Sequence, residues 1–281
     1  MTKNLPKLKR NERLIYICKY LSDRPNQLIN FSHFSNVFQI AKSSLSEDIQ
    51  IIRGIFEQFE MGYIETIAGV SGGVIYIPQV SESDREAFVS SVKTLLEDRR
   101  RILPGNYIYL SDLLQNSRTL QQAAMIIAQY YRHHKLDTVM TIETQGVGLA
   151  AAVARYLNVD YVVVRRDSNQ TSGPTISVNY VSGSHLTVKK MELTKSSLSA
   201  GSKVLIVDDF IRHGGTVQGL MSLIEEFDCD YAGACVFAAN TLKNSEEIPG
   251  YQSLFKVDFV FNEELRTFEL KIENGEILEE F

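Results

Sequence analysis

The stretch Val204-Leu205-Ile206-Val207-Asp208-Asp209-Phe210-Ile211-Arg212-His213-Gly214-Gly215-Thr216 constrains this chain more than any other. Four β-forming residues run into two carboxylates, and a short glycine loop then opens a helix. In an open parallel sheet, ligands bind beyond the carboxyl ends of the strands, which is where this loop falls. The N–H groups of Gly214, Gly215 and Thr216 at a helix N-terminus form an anion cradle, and glycine lets a phosphate approach. The Thr216 hydroxyl adds a donor, and Arg212 or His213 a positive charge. Asp208 and Asp209 are acceptors suited to the vicinal diol of a ribose. One loop thus offers places for a sugar diol and a phosphate side by side.

The pattern around it agrees. From residue 107 onward, predicted strands and helices alternate, which implies a parallel sheet covered by helices. The helices are expected at 118–134, 147–157 and 216–227, and the strands at 137–142, 159–165, 203–209 and 231–238. Asn274-Gly275, flanked by Leu270–Ile272 and Ile277-Leu278, predicts a C-terminal hairpin. Residues 166–201 are polar with little periodicity and are expected to form a long loop, a feature that is usually functional in a compact domain. Strand 137–142 runs into Glu143-Thr144-Gln145-Gly146 before a helix. Strand 159–165 ends at Arg165-Arg166, two cations at the same sheet edge, with plain solvent exposure as the alternative.

The first 80 residues read differently. Leu14, Ile17, Cys18 and Leu21 make one apolar helical face, and Phe31, Phe34 and Phe38 a second short stripe. Ser44-Leu45-Ser46-Glu47 has the spacing of a capping box that would start a third helix, with Leu45, Ile49, Ile52, Phe56 and Phe59 as its core face. Strands at 63–67 and 74–77 follow, joined by a glycine-rich loop over 68–73. This is the order of a winged helix-turn-helix, whose third helix presents its N-terminal residues to bases in the major groove. Lys42, Ser43, Ser44 and Ser46 occupy that end, and Lys9 and Arg10 belong to the basic head. A small helical domain in which the serines merely cap is the alternative. Residues 81–101 form a linking helix, and Arg99-Arg100-Arg101 reads as a solvated charge run sooner than a phosphate contact. The boundaries expected are 1–80 and 81–281.

Charge supports the division. Residues 1–24 carry seven Lys or Arg (Lys3, Lys7, Lys9, Arg10, Arg13, Lys19, Arg24) against Glu12 and Asp23, while 81–281 carry 20 basic and 27 acidic side chains. A basic head on an acidic body suits contact with phosphates. Cys18, Cys229 and Cys235 lack metal spacing and read as buried, reduced thiols. No secretory signal and no apolar run of about 20 residues is present, so a cytoplasmic protein without membrane spans is expected.

The segment 204–216 resembles the phosphoribosyl pyrophosphate (PRPP) signature of type I phosphoribosyltransferases. In that family the residues matching Thr144, Gln145 and Gly146 hold pyrophosphate on loop amides, and residues 167–190 match a mobile loop that closes over substrate. With the winged helix in front, and with Ala41–Asp48 and Ile102-Leu103-Pro104-Gly105, the chain resembles the PurR-type purine operon regulators of Gram-positive bacteria. The resemblance implies a homodimer that binds promoter DNA, takes PRPP as effector with Mg²⁺ on its pyrophosphate, holds Tyr107 near that effector, and has no catalytic residues or protein-built metal site. It also marks a departure: a small residue is usual where His213 stands. An active purine phosphoribosyltransferase with an accessory N-terminal domain is the alternative, and an interaction protein with a vestigial site is a third reading. Guanosine tetraphosphate is a weaker candidate for the same cradle.

Overall fold

The computed structural model describes residues 8–69, 72–105, 107–166, 173–182, 187–240, 248–264 and 266–281. Its contacts divide the chain into one unit of Met1–Asp84 with Tyr156–Asn158, and a second of Arg85–Arg155 with Val159–Phe281.

In the first unit, α1 (Arg10–Ser22), β1 (Ile29–Asn30), α2 (Phe31–Phe38) and α3 (Lys42–Gln58) precede β2 (Tyr63–Ile67) and β3 (Gly73–Ile77). The strands form an antiparallel sheet of order β1-β3-β2. The winged-helix order is therefore present, with one strand more than expected. The Asn30 side chain starts α2 by accepting from the Ser32 N–H. The apolar faces of the three helices meet in a core of Ile17, Leu21, Phe34, Phe38, Leu45, Ile49, Ile52 and Phe56. Phe59, expected in that core, is 63% exposed, because α3 ends at Gln58 and the stripe runs past it. The expected capping box is also corrected. α3 begins at Lys42 behind Ala41, which gives no side-chain cap, so Ser44 and Glu47 lie inside the helix.

In the second unit come α4 (Glu82–Leu96), β4 (Ile102–Leu103), β5 (Tyr107–Ile108), α5 (Ser111–Gln115), α6 (Ser117–Tyr131), β6 (Thr138–Ile142), α7 (Val147–Leu157), β7 (Asp160–Val164), β8 (Thr175–Ser182), β9 (Thr187–Thr194), β10 (Lys203–Ile211), α8 (Gly215–Glu226), β11 (Asp230–Asn240), β12 (Tyr251–Asn262), β13 (Thr267–Asn274) and α9 (Glu276–Glu279). The main sheet has the order β13-β12-β11-β10-β6-β7, parallel throughout except for the β12–β13 pair. Parallel strands covered on both faces read as near-continuous apolar runs, and every residue of β6 is buried accordingly.

Three expectations fail in this unit. Much of the expected loop 166–201 is an antiparallel hairpin, β8 with β9. Residues 167–172 and 183–186 of the expected mobile loop lie outside the described residues. Asn274-Gly275 does not turn a hairpin. The chain reverses between β12 and β13 instead, while the Gly275 N–H donates to the Leu254 carbonyl at 2.7 Å and opens α9. Arg101 is not solvated. It is 8% exposed, grips Asp112 through two nitrogens at 2.7 and 2.8 Å, and donates to the Leu95 and Tyr109 carbonyls.

Candidate functional site

Asp208 ends the continuous buried run of β10 that begins at Val204, and Asp209 follows it with its N–H donating to Asp208 Oδ1 at 2.9 Å. Burial pushes the Asp208 carboxyl well above the usual carboxylate range, the Asp209 charge adds to this, and Arg166 opposes it. Burial raises Asp209 too. Two acids are thus held where neither has enough water, a setting that favours a cation or hydroxyl donors as guests. Gly146 leans against them: a Cβ there would lie 2.3 Å from Asp208 Oδ1 and 2.8 Å from Thr141 Oγ1. Only glycine lets the loop after β6 approach the acids this closely.

Gly214 stands at φ +80° as the N-cap of α8, so the helix opens without a side-chain cap and leaves its first N–H groups directed outward. The Arg212 guanidinium lies over the Tyr107 ring, 4.7 Å from its centroid. The adjacent His213 has its pKa lowered, first by burial and then by the Arg212 charge.

A cavity of about 460 Å³ gathers Tyr107, Thr144, Gln145, Arg166, Asp208, Asp209 and Thr216. A smaller one of about 80 Å³ is lined by Arg212, His213, Gly214, Gly215 and Thr216, and shares Tyr107 and Asp208 with the first. Twelve of the thirteen residues singled out in sequence for this site are therefore together, with Gly146 behind Asp208. Arg165 stands apart. Neighbouring strand residues face opposite ways, and its side chain lines a separate cavity with Tyr161 and Glu192. Its main chain bridges to Glu192 in both directions, at 3.0 and 2.8 Å. The Arg166 N–H is fixed on Glu143 Oε1 at 2.9 Å, and the Ser111 hydroxyl on Gln145 Oε1 at 2.7 Å.

Tyr180 and Lys189, within the segment 167–190 expected to close over substrate, and Phe210, within the signature segment, line the larger cavity as well, although none of the three was named as a site residue from sequence. The signal for the first was present: Ile176, Val178 and Tyr180 alternate with polar residues at period two.

In the first unit, Lys42, Ser43 and Ser46 are exposed on the first turn and a half of α3, and Ser44 is half-buried. The Ser46 hydroxyl donates to the Lys42 carbonyl at 3.0 Å. Lys9 precedes α1 and donates its N–H to the Glu12 carboxylate at 2.7 Å. Arg10 is engaged by Glu47 at 3.3 Å and by Asp48 at 3.0 Å, and Asp48 also holds Arg13 at 2.8 Å. Lys19 pairs with Asp23, and Arg24 covers the Tyr20 ring. The basic head is thus partly neutralised from within. Lys3 and Lys7 lie outside the described residues.

Known proteins divide the chain in the same sense. Residues 9–78 match the family described as bacterial purine repressor, N-terminal, and residues 110–270 match the phosphoribosyl transferase domain. The probable purine biosynthesis transcriptional regulator PurR of Streptococcus pneumoniae is 47% identical over 275 residues, 98% of this chain and 99% of that protein. The purine biosynthesis transcriptional activator PurR of Lactococcus lactis is 44% identical over 251 residues, covering 89% of this chain and 93% of its own length. For the transcriptional repressor PurR of Bacillus subtilis the figures are 38% over 275 residues, 98% and 95%. Among solved structures, an adenine phosphoribosyltransferase from Thermoanaerobacter pseudethanolicus aligns with a TM-score of 0.53 at 20% identity, covering 59% of this chain and 98% of that one. At that identity the likeness bears on fold, and it assigns the second unit the type I phosphoribosyltransferase fold. Identity of 38–47% to three regulators over 89–98% of the chain, with both family models matched, shows that the chain belongs to the PurR family of purine biosynthesis transcriptional regulators.

Proposed function

We propose that PRPP is the effector of this DNA-binding regulator, and that its occupancy of the cavity at Asp208 sets affinity for promoters of purine genes. One observation carries the reading: a buried and a half-buried carboxylate, a helix N-terminus opened by glycine, and the Arg166 cation adjoin a single pair of cavities. Asp208 and Asp209 accept from the ribose hydroxyls. The N–H groups of Gly214, Gly215 and Thr216 take the 5′-phosphate, with Arg212 as the flanking cation and His213 beside it as a hydrogen-bonding ring. Thr144, Gln145 and Gly146 hold the pyrophosphate with Arg166, beside Tyr107. Arg165 acts through its main chain, which ties β7 to β9.

The site also fits Mg²⁺ arriving on the effector. Among the described residues no group of three or more potential ligands is assembled, so the ion would keep waters and pyrophosphate oxygens, with the acidic pair nearby. It would supply charge neutralisation of the pyrophosphate. On the DNA side, Lys42, Ser43, Ser44 and Ser46 meet the major groove, while Lys9 and the exposed half of Arg10 meet phosphates. The working form is a cytoplasmic homodimer, whose symmetry would match paired half-sites; no described helix is long and apolar enough to cross a membrane.

The test is an electrophoretic mobility shift with promoter DNA, with and without PRPP and Mg²⁺. Specific binding that changes with PRPP supports the reading, and Lys42→Ala is expected to weaken that binding about tenfold. Nucleobase consumption by the purified protein with PRPP, or promoter binding indifferent to PRPP, would overturn it.

A further inference from the structure

The β8–β9 hairpin has an inner face set by its register. Ile176 pairs with Leu193, Val178 with Met191 and Tyr180 with Lys189, and directly opposed residues share a face. Five of these six side chains are apolar, and Tyr180, Met191 and Leu193 are buried in the core of the second unit. Lys189 breaks the pattern. It stands where the inner face leaves the core, and there it lines the larger cavity opposite Asp208, Asp209 and Arg166. Among the described residues it makes no ion pair, whereas its neighbour Lys190, on the outer face, is paired with Glu192 at 2.8 Å. Exposed at the edge of that cavity and without an acidic partner among the described residues, this lysine is placed for an anionic guest.

What sets its position is also visible. Gly219 of α8 receives the hairpin: a Cβ there would come within 2.7 Å of Met191 Cε and 2.8 Å of Tyr180 Cβ. The Tyr180 and Met191 contacts fall one turn along the same helix whose N-terminus forms the phosphate cradle. The hairpin and the cradle therefore share one rigid element.

We infer that Lys189 is a further effector-binding residue, a cation for the pyrophosphate end of a ribosyl polyphosphate, and that Gly219 positions it by seating the hairpin. The inference rests on the effector reading above. Titration calorimetry of the full-length protein with PRPP and Mg²⁺ tests it, using Lys189→Ala, Gly219→Ala and Lys190→Ala. Lys189→Ala is expected to weaken PRPP binding by about ten- to a hundredfold, the loss of one charge-assisted contact. It should weaken ribose 5-phosphate, which lacks the pyrophosphate, much less. Lys190→Ala should leave PRPP affinity within about twofold. Gly219→Ala should weaken PRPP with little further loss in the double variant, since both changes remove the same contact; if Gly219→Ala fails to fold, Lys189→Ala alone decides. PRPP binding by the wild type that Lys189→Ala leaves unchanged, or weakens equally for ribose 5-phosphate, overturns the inference alone. No PRPP binding by the wild type overturns the effector reading and the inference with it.

Discussion

At Asp208 and Asp209, burial works against two charges at once, and the consequences can be followed through pH. A carboxyl whose folded pKa stands above its unfolded value contributes stability below the unfolded pKa, and that contribution is lost as pH rises through the folded one. The acidic pair therefore weighs against the fold at neutral pH. Asp208→Asn keeps an acceptor for the Asp209 N–H and removes a charge. Its melting temperature should exceed that of the wild type at pH 7.5, and the difference should close as pH falls toward the ordinary carboxylate range. Effector binding should be lost in the same variant, and a calorimetric scan with no gain at pH 7.5 would contradict the account. His213 behaves in the opposite sense. Burial and the Arg212 guanidinium favour its neutral form, so lowering the pH adds a cation beside the cradle. The ratio of effector affinities, wild type over His213→Asn, should rise between pH 7.5 and pH 5.5. Taking the ratio cancels protonation of the effector itself, and a flat ratio would show that His213 does not touch the bound anion.

Elements were legible in sequence where their evidence is local, and misread where a distant partner decides. The apolar face of α3 needs only its own spacing, and Leu45, Ile49, Ile52 and Phe56 are buried as expected. Glu47 fits a capping box by spacing, yet α1 lies alongside and supplies Arg10, so the carboxylate turns outward to that cation. Arg101 likewise looks like one of three solvated arginines until Asp112 is brought to it. The β8–β9 hairpin had a readable alternation, but its outer face of Ser177, Asn179 and Lys190 made the whole stretch look like a polar loop. The acidic strand end and the glycine loop were legible because sequence neighbours build both. Tyr180 and Lys189 were not, because β9 must first fold back on β8. The same logic yields a prediction at α1 and α3. Asp48 is fully buried and holds both Arg10 and Arg13, so Asp48→Ala leaves the largely buried Arg13 without its carboxylate and Arg10 with Glu47 alone. Denaturant unfolding followed in the N-terminal unit should show a loss of about 3 kcal/mol, with Asp48→Asn losing less. A loss below about 0.5 kcal/mol would mean the pair behaves as an ordinary surface contact.

On the scale of the whole molecule, the order of parts was legible because each unit announces itself by a different period, helical first and then alternating β and α. The direction of regulation has no such signature. Relatives of this chain at 44% and 38% identity are named activator and repressor respectively, so one architecture serves both outcomes. Coupling between effector and DNA is a separate quantity from that direction, and thermodynamics constrains it. An effector shifts DNA binding only by as much as its affinity differs between the bound and free forms. If PRPP changes promoter affinity by a given factor, promoter DNA must change PRPP affinity by the same factor. Two titrations measure this: promoter affinity by fluorescence anisotropy with and without saturating PRPP, and PRPP affinity by calorimetry with and without the promoter duplex. The two ratios should agree and should differ from one. Raising salt should weaken promoter binding in both states, because phosphate contacts release counterions, and Lys42→Ala should flatten that salt slope by about one unit. Should the two ratios both equal one while PRPP binds tightly, the cradle at Asp208 would serve something other than DNA control. Should they disagree, a third state, such as a change in the number of associated chains, would have to lie between the effector-bound and DNA-bound forms.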